Sequence, residues 1–399
     1  MKGNVKFAVS HPTGNTFVRA LLEELHKKGL LSVFYTTIGF SDESRFFSNI
    51  FMRRTYSIPN AHITRQWMHE VKRLLLPRKQ ETRQKLTDKS YFCLDKKVAK
   101  LLDKKKVQFL HAYEDGAAHS FSNAKKNGIH CSYELPIAYW QTVRRLLSEE
   151  AERYPDWEPT LASTREPEEK LIRKESELEL ADCIFCPSEF VLNSIPVEIR
   201  KRKPCLIAPF GSPKCEPLVH NGLKNKVFKL LFVGSMSQRK GLADLFSAIK
   251  LLPNEPVSLS ILGQPSMPLE FYRKQFLDFE YFPPCSNKKV REIMQMHDAL
   301  ILPSIVEGRA LVQQEALSCG LPIIITPNTG GKDLVTEGVT GHIVPIRSPE
   351  KIAEKIVSLI ENKTSKSEIA ENCKKKSSAY SWASYAKKIV DFNLYKDQI

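Results

Sequence analysis

Residues 307–322 read EGRALVQQEALSCGLP, and this stretch decides the fold of the second half of the chain. Apolar runs at 299–303 and 321–326 flank it, and Gly320 is placed to end a helix between them. The order strand, turn, helix, strand is typical of a parallel sheet with crossover helices. We expect the start of this helix at the carboxyl edge of the sheet, where unpaired backbone N–H groups attract phosphate.

Two glutamates of this segment are candidates for ligand contact. Glu307 lies in the turn before the helix, and Glu315 shares a helical face with Leu311. A carboxylate on an otherwise apolar, inward-facing stripe needs hydrogen-bond donors, and sugar hydroxyls would supply them. The alternative is that both glutamates are solvated residues on the surface of the helix.

A second loop contributes two adjacent cations. Residues 228–234 predict a strand, residues 235–241 a loop that contains Arg239 and Lys240, and apolar residues then recur at helical spacing. Cations at the carboxyl end of a strand can neutralise a diphosphate leaving group as its charge develops. An Arg-Lys pair in a loop is usually only solvated, so the functional interpretation rests on its position beside the glutamate segment.

The same layout recurs along the chain and predicts two domains. A length of 399 residues exceeds one ordinary core. Apolar runs at 5–10, 107–110, 181–186 and 205–208 in the first half, and at 257–262 and 341–344 in the second, predict further strands. We therefore expect an α/β protein of two Rossmann-like doubly wound domains that face each other across a cleft, with ligands at the carboxyl ends of the strands.

Composition argues against several classes of protein. Apolar residues make up 42% and charged residues 26% of the chain, which describes a globular protein. No run approaches the roughly 18 apolar residues of a membrane-spanning helix, and residues 1–9 lack the apolar core of a signal peptide. The nine cysteines are scattered and odd in number, so we expect a cytoplasmic location. Cys183 and Cys186 have a CxxC spacing but lie in a predicted buried strand, which favours a structural role.

The second half resembles the retaining GT-B glycosyltransferases of the glycosyl transferases group 1 superfamily. The resemblance covers about residues 226–344 and rests on these segments in order: FVG at 232–234, RKG at 239–241, LPS at 302–304, EG at 307–308, EALSCGLP at 315–322, NTGG at 328–331 and EGVTG at 337–341. It implies the GT-B fold and a retaining transferase of polysaccharide or glycoconjugate biosynthesis. Such an enzyme moves a sugar from a nucleotide-diphosphate sugar to a glycan or lipid-linked acceptor.

The resemblance also implies that the two domains bind different substrates. Residues 1–215 would form the acceptor-side domain and residues 216–380 the nucleotide-sugar-binding domain. Residues 381–399 would form a C-terminal helix, for which packing back on the first domain is one arrangement.

The catalytic candidates implied by the resemblance are Arg239, Lys240 and Glu307. The two cations would hold the diphosphate and Glu307 would contact the transferred sugar, while Glu315 would bind the ribose. The other donor-binding candidates are Gly14, Gly234, Gly308, Arg309, Ala310 and Leu311.

Four of these donor-side candidates carry specific expectations. Backbone N–H groups near Ala310 and Leu311 would meet sugar or phosphate, and Gly14 would let a loop of the first domain approach closely. The family usually has Phe-Gly where this chain has Arg309-Ala310. Arg309 would then either point away as a helix-surface cation or touch an anionic group.

The first half offers acceptor-side candidates after two predicted strands: His111, Glu114, Asp115 and Glu134. For His111 alone, a packed or hydrogen-bonded role is favoured over catalysis because nothing in the sequence fixes its partner. No Asp-x-Asp pair is present, so we expect no metal and no cofactor, and cationic side chains would have to neutralise the diphosphate.

Positive charge is concentrated in one segment. The chain carries a net charge of +15, and residues 51–106 contain 16 Lys or Arg against 5 Asp or Glu. Within it, Ile63, Trp67, Val71 and Leu74 are predicted to share one helical face. That face either lies on an anionic membrane, peripherally on its inner side and near a lipid-linked acceptor, or packs on the amino-terminal sheet.

Two other functions compete with the transferase. The charge would suit a nucleic-acid-binding protein, but no helix-turn-helix, zinc finger or RNA-binding aromatic motif is present, so we expect no nucleic acid partner. A non-catalytic sugar-nucleotide-binding protein is the other alternative. The presence of all four residues Arg239, Lys240, Glu307 and Glu315 argues against it.

Overall fold

The protein folds around two parallel sheets in a computed structural model that describes residues 5–43, 54–75, 80–215 and 227–395. Each sheet carries its own hydrophobic core. The predicted boundary between residues 215 and 216 adjoins a stretch outside the described residues, so the division into domains stays a prediction.

The first sheet has seven strands in the order β5-β2-β1-β6-β7-β8-β9, all of them parallel. Its strands and the short pair β3–β4 are β1 (Phe7–Ser10), β2 (Leu31–Thr36), β3 (Phe40–Ser41), β4 (Thr55–Tyr56), β5 (Ile63–Arg65), β6 (Phe109–Tyr113), β7 (His130–Glu134), β8 (Cys183–Cys186) and β9 (Cys205–Ile207). The helices are α1 (Thr16–Lys27), α2 (Met68–Leu75), α3 (Gln80–Leu102), α4 (Ala118–Lys126), α5 (Trp140–Arg153), α6 (Glu168–Leu180), α7 (Glu189–Ser194) and α8 (Val197–Arg202).

The second sheet has six parallel strands in the order β12-β11-β10-β13-β14-β15. The strands are β10 (Phe228–Val233), β11 (Val257–Leu262), β12 (Phe279–Phe282), β13 (Ala299–Leu302), β14 (Ile323–Ile325) and β15 (Gly341–Ile343). The helices are α9 (Leu242–Lys250), α10 (Leu269–Gln275), α11 (Asn287–Met294), α12 (Leu311–Ser318), α13 (Pro349–Ile360), α14 (Lys366–Ser378) and α15 (Trp382–Tyr395).

The second sheet buries two neighbouring strands completely. All four residues of β13 are buried, as are all three of β14, and this is why these strands read as continuous apolar runs without alternation. The last helix, α15, packs on α1 of the first half rather than on the second sheet. Tyr385 and Ile389 of α15 share a core with Val18 and Leu22 of α1.

The structure corrects three predicted element boundaries. His111 lies inside β6, where it pairs in register with Val9 of β1, and Glu134 is the last residue of β7 rather than a loop residue. Ile63 lies in β5 and is buried, so it does not share a helical face with Trp67. The segments are apolar enough for either element, and pairing with a neighbouring strand decides the outcome.

Two further findings concern predictions from composition. In the part of the chain that the structure describes, no helix is both long and apolar enough to cross a membrane. Cys183 and Cys186 are both buried in β8 and belong to different cores, because residues three apart on a strand face opposite sides of the sheet. They therefore do not form a common site.

Candidate functional site

The loops that follow β10 and β13 lie side by side because these two parallel strands are neighbours in the second sheet. The Ile305 N–H donates to the carbonyl oxygen of Arg239 at 2.9 Å. Gly241 ends the first loop with φ of 74°, and a Cβ there would lie 2.0 Å from the Pro303 carbonyl oxygen. Only glycine allows the two loops to approach this closely.

The three catalytic candidates meet at this contact. Lys240 Nζ lies 2.6 Å from Glu307 Oε1, and Arg239 Nη1 pairs with the same carboxylate oxygen. Arg239 also donates to the Val306 carbonyl oxygen at 3.2 Å. Lys240 and Glu307 are each 8% exposed, so the cluster is an ion triad with one excess positive charge at the edge of the sheet.

The charges within the triad shift one another's ionisation. Burial alone would raise the pKa of Glu307, but the adjacent Arg239 and Lys240 outweigh it and lower that pKa below its usual range. Burial lowers the pKa of Lys240, and the attraction of Glu307 offsets this only in part. Glu307 is therefore an anion at neutral pH, and its charge opposes the effect of burial on the pKa of Lys240.

Two glycines give the triad its space. A Cβ on Gly234 would lie 3.3 Å from Lys240 Cε, so the stem of the lysine runs over this residue. A Cβ on Gly308 would lie 1.7 Å from the Pro136 carbonyl oxygen, which belongs to the loop after β7. The Gly308 carbonyl oxygen also accepts a 2.6 Å hydrogen bond from Ser188. The loop that carries Glu307 is thus pressed against the first half of the molecule.

Of the two roles that the sequence left open for Arg309, the structure shows contact with an anionic group, Asp333, and not a helix-surface cation. Its side chain is 1% exposed and forms two parallel hydrogen bonds to Asp333, at 2.7 and 3.0 Å. It also donates to the Gly330 carbonyl oxygen at 3.0 Å and stacks over Tyr380 at 4.8 Å. These contacts occupy the guanidinium group, so Arg309 orders the loop before α12 instead of offering a charge to a ligand.

The start of α12 differs from the prediction in one respect. The Ala310 N–H donates to the Thr329 carbonyl oxygen at 3.2 Å and is therefore occupied. Leu311, as the first helical residue, has no intrahelical acceptor for its N–H. Glu315 lies on the same helix, and burial raises the pKa of its carboxyl group, which Arg291 counteracts in part.

A polar network that the sequence did not reveal joins the cation loop to the first half. Gln238, the residue before Arg239, donates to Glu150 of α5 at 2.6 Å and to Asp244 at 2.8 Å. Glu150 is fully buried and also pairs with Arg347. This network ties the cation loop of the second half to α5 of the first half.

Two of the acceptor-side candidates lie in the interior of the first half. His111 is fully buried, with Nδ1 2.9 Å from Ser132 Oγ and Nε2 3.3 Å from Glu134 Oε2. Glu134 accepts a further hydrogen bond from the Tyr385 hydroxyl of α15. His111 and Glu134 therefore form a buried network with α15, which is the packed, hydrogen-bonded role that the sequence favoured for His111. Their place on the acceptor side stays a prediction.

Glu114 and Asp115 instead line a cavity of about 180 Å³ in the first half. Lys174 Nζ lies 3.1 Å from Glu114 Oε1 and 3.8 Å from Asp115 Oδ1. Burial nevertheless raises the pKa of Glu114 to about 7. Asp115 has φ of 72°, a left-handed conformation that is uncommon outside glycine and recurs at functional sites. Ile137, which is also in the Gly308 contact, lines the same cavity.

Gly14 lies in the loop after β1. A Cβ there would lie 2.7 Å from the Tyr56 hydroxyl oxygen and 3.0 Å from its ring. The contact that requires a glycine is therefore with Tyr56 of the same half.

A comparison with known protein families covers the segment that forms this site. The family model of the glycosyl transferases group 1 matches residues 219–376, which include the triad, Arg309 and Glu315. The matched segment carries the three catalytic candidates on the two loops that the family resemblance indicated.

Curated relatives match part of the chain. An uncharacterized glycosyltransferase of Methanocaldococcus jannaschii is 27% identical over 51% of this chain and 56% of its own length. A D-inositol 3-phosphate glycosyltransferase of Corynebacterium urealyticum is 24% identical over 57% of this chain and 60% of its own. A capsular polysaccharide biosynthesis glycosyltransferase of Staphylococcus aureus is 28% identical over 48% of this chain and 57% of its own length. The chain thus matches less than two thirds of the length of these relatives.

Solved structures match the whole chain. Sucrose-phosphate synthase from Thermosynechococcus elongatus superposes with a TM-score of 0.69 at 16% identity, over 99% of both chains. The Anabaena protein HepE in complex with UDP-glucose gives a TM-score of 0.60 at 14% identity, over 98% of this chain and 99% of that one. These likenesses confirm the predicted GT-B fold.

Proposed function

We propose that this protein is a glycosyltransferase that moves a sugar from a nucleotide-diphosphate sugar to a glycan or lipid-linked acceptor. The observation that carries the proposal is the buried triad of Arg239, Lys240 and Glu307 between two adjacent loops of the segment that the group 1 family model matches. Its excess positive charge suits a diphosphate, which would share both cations with Glu307. HepE, which shares the fold, was solved with UDP-glucose.

Each residue of the triad has a distinct role in this proposal. Negative charge develops on the leaving diphosphate in the transition state, and Arg239 and Lys240 are already held in place to receive it. The Glu307 carboxylate, an anion held between the cations, accepts hydrogen bonds from hydroxyls of the transferred sugar. Glu315 on α12 binds the ribose, and the Leu311 N–H is available to the sugar or a phosphate.

A donor screen tests the proposal. The full chain is heated with UDP, GDP and ADP and with their common hexose conjugates, and one base is expected to raise the melting temperature by mass action. Release of free nucleoside diphosphate from the matching sugar nucleotide is then measured with and without glycan acceptors. Glu315→Ala should weaken binding of the nucleoside diphosphate and of its sugar conjugate equally. Failure of every nucleotide to bind would refute the proposal.

We infer that the acceptor binds on the first half near the Glu114–Asp115 cavity. The loop between β7 and α5 supports this, since it contacts both Gly308 and the cavity. The acidic side chains of Glu114, Asp115 and Glu166 line the cavity together with the ammonium group of Lys174, which suits hydroxyls that both donate and accept. We further propose that the anomeric configuration of the donor is retained, which proton NMR of the product's anomeric signal tests directly.

We also propose a peripheral location on the cytoplasmic face of a membrane. Trp67, Met68, Leu74 and Leu75 are 58, 55, 47 and 78% exposed, and we call them the α2 patch. They do not pack on the sheet, which supports the membrane alternative of the two that the sequence left open. The segment 51–106 supplies the surplus of lysine and arginine that an anionic surface attracts, although residues 51–53 and 76–79 lie outside the described ones.

Vesicle sedimentation tests this location. The protein should sediment with phosphatidylglycerol vesicles and not with phosphatidylcholine vesicles. Addition of 0.5 M salt should weaken the binding, because it shortens the Debye length to roughly 4–5 Å. Replacing Trp67 and Leu75 by serine should abolish it. Leu277→Ser removes an equally exposed apolar residue of the second half, at 68%, and should not. Equal sedimentation of the two variants would contradict the proposal.

A further inference from the structure

Two cysteine sulfurs from distant segments approach each other closely. Cys215 Sγ and Cys319 Sγ are 2.9 Å apart, although 104 positions separate them in sequence. Cys215 lies in the segment that connects β9 to β10, and Cys319 directly follows the last residue of α12. A disulfide bond is about 2.05 Å long, so a movement of about 1 Å would bring the two sulfurs to bonding distance.

The two thiols differ in their surroundings. Cys319 is 9% exposed, and burial raises the pKa of its thiol, which the adjacent Cys215 raises further. Cys215 is half-buried, and Gln295 Nε2 donates to its sulfur at 3.3 Å. A dissolved oxidant therefore reaches Cys215 first, and the more deeply buried Cys319 is placed to act as the resolving thiol.

We propose that Cys215 and Cys319 form a reversible disulfide with a small-molecule disulfide, such as oxidised glutathione, as the oxidant. The Cys215 thiolate attacks one sulfur of the oxidant and releases one glutathione thiolate. The Cys319 thiolate then attacks the Cys215 sulfur and releases the second. The protein loses two electrons and two protons, and two molecules of reduced glutathione carry them away.

This disulfide would tie the connection between the two sheets to the helix that carries Glu315. Gln314 of α12 already donates to the Phe210 carbonyl oxygen at 2.7 Å and to Ser212 Oγ at 3.0 Å. A covalent bond at Cys215 would extend this attachment along the connecting segment. Because domains move by bending such segments, the bond restrains the opening and closing of the cleft. The expected consequence, which rests on the proposed function, is severalfold slower transfer in the oxidised protein.

Peptide mapping tests the bond without reference to activity. The full chain is incubated with excess oxidised glutathione, its free thiols are counted, and its peptides are separated without reduction. We expect the loss of two thiols and one cross-linked pair of peptides that contain Cys215 and Cys319. Cys215→Ser should prevent the cross-link, and Cys285→Ser, a change at another half-buried cysteine, should leave it intact. Glutathione retained on Cys215, a link between other cysteines, or no thiol loss would overturn the proposal.

Melting temperature and rate then test the restraint. Oxidation should raise the melting temperature of the wild type, dithiothreitol should reverse the rise, and Cys215→Ser should show neither change. Transfer should slow in the oxidised wild type alone and recover on reduction. A fully cross-linked protein with unchanged melting temperature or rate would refute the restraint. Reduced protein that transfers no sugar at all would refute the proposed function and leave the peptide map to decide on the disulfide.

Discussion

Gly308→Ala should damage the site through geometry alone, since it adds one methyl group and no charge. The new Cβ would lie 1.7 Å from the Pro136 carbonyl oxygen, and ordinary contact begins at 3.4 Å. The loop that carries Glu307 and the loop after β7 must therefore separate by about 1.7 Å. Misplacement of reacting groups by about 1 Å can cost ~10²-fold in rate. We expect kcat/KM to fall by at least about 10²-fold, or about 2.7 kcal/mol in activation free energy.

The assay is steady-state transfer with the donor that the screen identifies, with binding of the nucleoside diphosphate measured in parallel. Binding should change much less than kcat/KM, because both cations belong to the second half and move with it. Gly29→Asn is the matched control. It alters a glycine at φ of 67° with no atom within 4 Å, in a conformation that Asn tolerates, and should keep wild-type activity. Wild-type kcat/KM in Gly308→Ala at an unchanged melting temperature would refute this account of the contact.

Three other changes test separate parts of the structure. Lys240→Ala should lower kcat/KM by about 10²- to 10³-fold because one of the two diphosphate cations is lost, whereas Lys250→Ala on the exposed end of α9 should have no effect. Arg309→Lys should cost about 1–3 kcal/mol in urea unfolding, because lysine cannot reproduce the two parallel bonds to Asp333; an unchanged free energy of unfolding would contradict this. Burial raises the pKa of Glu114 to about 7 in the folded state, above the 4.5 of an exposed glutamate. Its contribution to stability is therefore complete below pH 4.5 and is lost as pH rises through 7. Melting temperatures measured from pH 4.5 to 8 should fall less in Glu114→Gln than in the wild type, and parallel curves would exclude this role.

Local pattern predicted most of the second sheet. The predicted strand 257–262 matches β11 residue for residue, because an apolar run ends there in clear breakers. The contact between the Arg239–Lys240 loop and Glu307 followed from the rule that loops after neighbouring parallel strands meet at one edge. Both the strand and the positions of these loops could be predicted from the residues that immediately surround them.

The parts that sequence reasoning missed depend on partners far along the chain. The sequence placed His111 after a strand, whereas pairing with β1 and β7 extends β6 through this residue. It left two roles open for Arg309, because no local signal shows that Asp333 lies beside it. The contact between Cys215 and Cys319 has no local signal at all, because 104 positions separate the two sulfurs. One local signal was available for Gly308, since a glycine directly after Glu307 indicates a close backbone approach.

The most direct test of the account is calorimetric titration of the nucleoside diphosphate that the donor screen selects into the wild type, Lys240→Ala and Arg239→Ala. We predict one binding site in the wild type and affinity at least about tenfold weaker in each variant, since each loses a charge-assisted contact worth about 1.5–3 kcal/mol. Equal affinity in all three proteins, or no binding by the wild type, would show that the triad does not hold a diphosphate.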